Sequence, residues 1–152
     1  MARQLTSQDF KQSLNSHAAA KGQELFEKYG PRIGWKELLA ILEDRAICRY
    51  PCEIVFDSGP LGPGEFAYPA PKGERPEDGF RMHVHPLLEG QPQPAIRAVL
   101  YQLAAVNYGP FASSEDAEVF GAAALGLSQD DYYEDLCQIA DSLEQGPGAC
   151  GQ

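Results

Sequence analysis

The sequence predicts an α+β protein in which a small sheet lies between two groups of helices. Apolar residues recur at helical spacing near both ends of the chain, and they alternate with other residues in its middle third. A length of 152 residues fits one domain with one core. We therefore expect two N-terminal helices, a three-stranded antiparallel sheet and three C-terminal helices packed on one face of the sheet.

Two helices are predicted before the sheet. The first spans residues 7–29, begins near a capping-box-like pair of Thr6 and Asp9, and ends at Gly30-Pro31. The second spans residues 35–44. We expect each helix to use its apolar stripe for packing. The stripe of the first contains Phe10, Leu14, Ala18, Leu25 and Phe26, and that of the second contains Trp35, Leu38, Leu39 and Leu42.

Three strands are predicted next, at residues 48–56, 65–68 and 80–85. The loops between them are rich in Pro and Gly, and connections this short favour an antiparallel meander. Side chains two apart on a strand share a face, which assigns a core face to the first and third strands. The core face carries Cys48, Tyr50, Cys52, Ile54 and Phe56 on the first strand and Phe80, Met82 and Val84 on the third.

Three helices are predicted after the sheet. The first spans residues 94–108 and has Pro94 at an early position, where proline is tolerated. Ser113 with Asp116, and Ser128 with Asp131, have the spacing of N-terminal caps for the next two helices. We assign residues 1–145 to a single globular domain and residues 146–152 to a flexible glycine-rich tail.

The charge is concentrated in the last third of the chain. Twelve basic and 22 acidic residues give a net charge of −10, and residues 98–152 contain nine acids and no base. This balance argues against binding a nucleic-acid backbone, and no apolar run reaches the ~18 residues of a membrane helix. The amino terminus resembles no signal peptide, and the four cysteines are irregularly spaced, so we expect a cytoplasmic protein with free thiols.

The strongest metal candidate in the sequence is His83-Val84-His85. Two histidines two apart on a strand share a face, so both imidazoles could reach one zinc or another divalent transition metal. Further ligands would have to come from loop acids such as Asp57, Glu65 and Asp78. The alternative is a pair of solvent-facing or hydrogen-bonded strand histidines. Cys48 and Cys52 share the opposite face, which favours buried thiols over a Cys2His2 zinc site.

The order of elements resembles the minimal zincin-like metallopeptidase fold over about residues 46–127. In that family the active helix carries His-Glu-x-x-His, and Tyr101, Gln102 and Ala105 stand at these positions here. The resemblance implies that Asp116 or Glu118, on the next helix, lies nearest to the role of third ligand, and both remain candidates. Because Tyr, Gln and Ala cannot form the two-histidine zinc site, the resemblance implies a degenerate member without the family's catalysis.

The sequence therefore favours a non-catalytic interaction or assembly domain whose acidic helices bind a basic protein partner or a second copy of the chain. The alternative is a metal-binding protein or metal-dependent hydrolase built on His83 and His85. A third hypothesis is a small-molecule cleft between the sheet and the helix of Tyr101, with Tyr101, Gln102 and His85 as polar contacts. Tyr101, Tyr108, Tyr132 and Tyr133 form an aromatic group that we expect in the core and at its rim.

Overall fold

The computed structural model describes residues 7–149, with side chains up to residue 143, and it confirms the α+β class. Thr6, the predicted first cap, lies outside the described residues. Short 3-10 helices occupy Pro76–Asp78, Pro86–Leu88 and Gly109–Phe111. The longer elements, in chain order, are α1 (Ser7–Tyr29), α2 (Trp35–Glu43), β1 (Cys52–Phe56), β2 (Ala67–Pro71), β3 (Phe80–Val84), α3 (Pro92–Tyr108), α4 (Ser114–Leu125) and α5 (Gln129–Ala149).

The sheet is mixed, and the predicted antiparallel meander is wrong. Its strand order is β1-β3-β2, so β3 is central, parallel to β1 and antiparallel to β2. Residues 57–66 contain two successive turns, Ser58 to Leu61 and Gly62 to Glu65. After these turns the chain enters β2, which does not pair with β1. This connection is longer than a tight hairpin loop, so nothing local forces β1 and β2 to pair.

The first strand is shorter than predicted. The amides of Ile47 and Cys48 both donate to the carbonyl of Asp44, so residues 44–48 form a turn and β1 begins only at Cys52. The predicted faces of the strands are confirmed nevertheless. Met82 and Val84 are fully buried in β3, and their register partners in β1 are Ile54 and Phe56.

Helix α3 is the centre of the packing. It contacts β2 and β3 on one side and α4 and α5 on others, and its most buried residues include Ile96, Val99, Leu100 and Leu103. The expectation that all three C-terminal helices pack on one sheet face is therefore only partly right. The most extensive contacts of α4 are with α1, because Gly22 lets the two helices approach closely.

A smaller core joins α4 and α5. The ring of Tyr132 is fully buried with Ala122 and Leu136, and its hydroxyl donates to the Arg97 carbonyl over 2.7 Å. A side chain at Gly121 would overlap this ring, so only glycine fits there. Helix α5 continues to Ala149, beyond residue 145, where the sequence places the end of the domain. The division between domain and tail there stays a prediction.

Candidate functional site

His83 lies on the central strand and on the face opposite the core. Its register partners are Val55 of β1 and Tyr68 of β2, and Tyr68 is 43% exposed. The imidazole is half-buried, and its Nδ1 atom is buried with no hydrogen-bond partner among the described residues. Of the ring nitrogens of His83 and His85, this is the one that is buried without a hydrogen-bond partner among the described residues.

His85 has a different role from His83. It follows the end of β3, and its Nδ1 atom accepts a hydrogen bond from the Leu87 amide over 3.1 Å, which caps the 3-10 helix Pro86–Leu88. An imidazole that accepts at Nδ1 carries its proton on Nε2, so a metal at Nε2 would require breaking this cap. Among the side chains of residues 7–143, no three His, Cys, Asp or Glu are grouped so that they could hold a metal ion.

The cysteines next to β1 are poor metal ligands. Cys48 is fully buried, and its sulfur contacts the Tyr50 carbonyl at 3.3 Å. Burial raises the pKa of the Cys48 thiol to about 11 and that of Cys52 to about 12. These raised pKa values keep both thiols protonated at neutral pH, whereas the thiolate is the form that binds zinc or attacks an electrophile.

Of the cleft candidates, Tyr101 and Glu118 come together. Glu118 accepts a hydrogen bond from Gln129 over 3.1 Å. Burial raises the pKa of the Tyr101 phenol, and the neighbouring Glu118 carboxylate raises it further. The Tyr101 ring also packs edge-to-face on Phe66 at 5.7 Å. The side chain that meets Tyr101 from the sheet side is thus an apolar ring rather than a polar group.

Asp116 belongs to a different surface and has a structural role. It is 4% exposed, accepts from the Ser113 amide, and receives the Asn15 side-chain amide over 3.1 Å, which ties α4 to α1. Residues two apart on a helix point in nearly opposite directions, so Asp116 and Glu118 cannot serve one site from the same helix face. Of the two, Glu118 is the neighbour of Tyr101, and the role of third ligand that the resemblance implies stays a prediction. Gln102 is half-buried on α3.

The outward face of α5 combines acids with an exposed aromatic ring. Tyr133 is 54% exposed, and Asp130, Glu134 and Asp141 are exposed on the same side. The inward side of the helix is apolar and carries Tyr132, Leu136, Ile139 and Leu143. Sequence reasoning placed Tyr132 and Tyr133 in one group, and the structure separates them into core and surface. The signal that distinguishes the two is helical spacing, because Tyr132 shares the stripe of Leu136, Ile139 and Leu143 and Tyr133 does not.

The acids of α5 receive little compensation from basic side chains. Arg97 of α3 pairs with Asp135 over 2.9 Å, at the side of the helix. Among the described residues, this is the one ion pair that involves α5. A hydrogen bond to Cys137 raises the pKa of the Tyr133 phenol.

No family model, no curated protein and no solved structure matches this chain. No helix in the described part of the chain has the length and apolar character needed to cross a membrane.

Proposed function

We propose that the chain is a non-catalytic interaction domain that binds a basic protein surface through the outward face of α5. The observation that carries the proposal is Tyr133, a large aromatic side chain left 54% exposed among acids that have almost no basic neighbours. Tyrosine is enriched at protein interfaces because it contributes rigid apolar area and a polar tip. The surrounding acids would steer a basic partner and fix its orientation.

The arrangement of charge supports binding over simple solvation. The acids of α5 are on a rigid helix whose opposite side is anchored by Tyr132 and Leu136. A partner therefore meets a preorganised surface and orders few side chains on binding, which lowers the entropic cost of association. Tyr133 adds an exposed aromatic ring near the start of this helix, beside Asp130 and Glu134.

The same proposal interprets the chain as a zincin-like fold that has lost its metal site. Its support is the position of α3 directly against β2 and β3, with Tyr101, Gln102 and Ala105 at the positions of the family's motif. None of these three side chains is a strong zinc ligand. Binding by the acidic helices is then the function left to the fold.

The test uses a charge-reversal variant of the α5 face, Asp130→Lys/Glu134→Lys, together with Tyr133→Ala. A matched control, Glu74→Lys/Glu77→Lys, makes the same change of charge in the exposed loop before β3. Proteins retained by the immobilised chain are identified, purified and titrated against each form at two salt concentrations. We expect about tenfold weaker binding for the α5 variants, a smaller effect for the control, and loss of affinity with salt. Equal effects of both double variants, or no partner whose purified form binds, contradict the proposal.

Metal binding at His83 and His85 is the second candidate, and the unpartnered Nδ1 atom of His83 favours it. A metal there would satisfy this nitrogen. Coordination by His85 as well would break its cap on the 3-10 helix, because Nδ1 of His85 already accepts a hydrogen bond from the Leu87 amide. Elemental analysis of tag-free protein distinguishes the candidates, since stoichiometric zinc that is lost in His83→Ala would favour the metal site.

A further inference from the structure

A groove whose lining includes no residue of α5 has the properties of a small-ligand site. It lies between the start of α1, the segment before β1 and the end of α3, and its volume is about 400 Å³. Ligand pockets are commonly ~300–1,000 Å³ and mostly apolar. The lining fits this description, since its apolar side chains include Phe10, Leu14, Tyr50, Phe80, Val106 and Phe111.

Two of these aromatic rings are exposed. Phe10 is 43% and Phe111 is 68% exposed, and their rings meet edge-to-face at 5.7 Å. Phe111 reaches this position because α3 ends at Gly109, which adopts a positive φ of 64°, and the following Pro110 turns the chain outward. Aromatic rings held at the mouth of a groove, away from the core, form a ready surface for the apolar part of a ligand.

One charged side chain lines the groove, and it is basic. Arg49 stacks over the Tyr50 ring at 5.3 Å, and its Nη1 donates to the Asn107 carbonyl over 3.3 Å. No described carboxylate forms an ion pair with it, whereas six other basic residues are paired: Lys21, Lys28, Lys72, Arg75, Arg81 and Arg97. Lys11, Arg32, Lys36 and Arg45 also form no ion pair with a described residue, so the distinguishing feature of Arg49 is that it lines an apolar groove whose lining contains no acid.

Asn107 holds Arg49 in place. Its side chain is buried, accepts from the Arg49 amide over 2.9 Å and donates to the Ile47 carbonyl over 2.8 Å. The hydrogen bond to the Asn107 carbonyl places the positive guanidinium at the C-terminal end of α3, which is a structural role for Arg49. It uses one of the five guanidinium N–H groups. The others form no hydrogen bond with a described residue. A guanidinium with free donors, fixed at its base, matches the planar geometry of a carboxylate.

We propose that this groove binds a small amphipathic acid, with the apolar body against Phe10 and Phe111 and the carboxylate on the Arg49 guanidinium. The site is independent of the α5 face, so it can be tested whether or not the interaction proposal holds. Tyr108 also lines the groove, and its buried hydroxyl has no partner among the described residues. A ligand that shifts the Tyr108 ring slightly would supply a hydrogen-bond partner for this hydroxyl.

The test titrates the ¹⁵N-labelled chain with 4-phenylbutyrate and, separately, with its uncharged amide. We expect saturable chemical-shift changes at residues 10, 49, 108 and 111 with the acid, and about tenfold weaker binding of the amide. We expect Arg49→Met, which keeps the apolar stem, and Phe111→Ala to weaken binding of the acid to a similar degree. Arg32→Met and Leu39→Ala remove an exposed base and an exposed apolar side chain elsewhere, and we expect no effect from either.

Three results would overturn the proposal. The first is no saturable change up to about 10 mM acid, a concentration that detects even weak complexes. The second is equal affinity for the acid and the amide. The third is unchanged affinity in a folded Arg49→Met variant. The comparison of acid with amide needs no variant, so it decides the matter even where Arg49→Met fails to fold.

Discussion

Replacing Asn107 by alanine tests the contact that joins α3 to the segment before β1. The side chain is 4% exposed and makes two hydrogen bonds, to the Ile47 carbonyl over 2.8 Å and from the Arg49 amide over 2.9 Å. Each bond contributes about 1 kcal/mol, and a buried partner left unsatisfied costs about 1–3 kcal/mol. Ile47 is fully buried, so its carbonyl bears this cost, whereas the Arg49 amide lies nearer to solvent.

We therefore expect Asn107→Ala to lower the free energy of unfolding by about 2–4 kcal/mol. For a domain of this size, that corresponds to a fall in Tm of about 5–15 °C. Urea titrations followed by circular dichroism measure the change, with an unaltered m-value as evidence that the unfolded state is the same. The same variant should weaken the binding of 4-phenylbutyrate, because the Arg49 amide loses its hydrogen bond to the Asn107 side chain.

Gln102→Ala is the matched control for this variant. It shortens an amide side chain of the same helix, and Gln102 forms no hydrogen bond with a described residue. We expect it to change the free energy of unfolding by no more than about 0.5 kcal/mol. If Asn107→Ala also stays within this range, the two hydrogen bonds do not hold the segment and the reasoning fails.

Three further predictions concern packing, pH and metal. Gly22→Ala should destabilise the chain by about 1–3 kcal/mol in urea titrations, because the added methyl group would lie 2.8 Å from the Ala123 Cβ, whereas exposed Gln23→Ala should have little effect. A gain in stability would show instead that helix propensity, worth about 1 kcal/mol, dominates. Hydrogen bonds from Lys28 and Tyr29 lower the pKa of Asp44 from 3.8 to about 2, so its stabilising contribution is complete above 3.8 and is lost as the pH falls towards 2. Thermal scans across this range should show a weaker pH dependence for Asp44→Asn, and an unchanged dependence would contradict the assignment. Zinc should leave the Tm of the wild type and of His83→Ala within about 1 °C of the metal-free value, since the described residues offer no third ligand. A zinc-induced rise in Tm that His83→Ala abolishes would refute this expectation.

Local signals in the sequence predicted the helices well. The range 7–29 is the extent of α1, and the Ser113–Asp116 capping box forms as expected, with the Asp116 amide donating to the Ser113 hydroxyl over 3.1 Å. Capping and helical periodicity depend on residues within one or two turns, so a single sequence contains the information. The faces of β1 and β3 were predictable for the same reason, because alternation is a property of one strand.

Strand pairing and the grouping of site residues depended on tertiary structure. The position of β3 between β1 and β2 depends on pairing between segments far apart in the chain, which no local pattern encodes. His83 and His85 follow the alternation of a strand in the sequence, yet the chain leaves β3 at His85 and uses that side chain as a cap. Phe10 belongs to the apolar stripe of α1 and is nevertheless exposed at the mouth of the groove.

The sequence alone determined the α+β class, the helices, the caps at Ser113 and Ser128, and the concentration of acidic charge after Arg97. These properties follow from composition and short-range periodicity, which act before any tertiary contact forms. Only the tertiary structure decided that Asp116 ties α4 to α1 while Glu118 faces Tyr101. It also decided that Arg49 stands unpaired among aromatic rings drawn from distant parts of the chain. Such groupings arise from contacts between residues far apart in sequence, and these contacts are fixed only when the elements pack together.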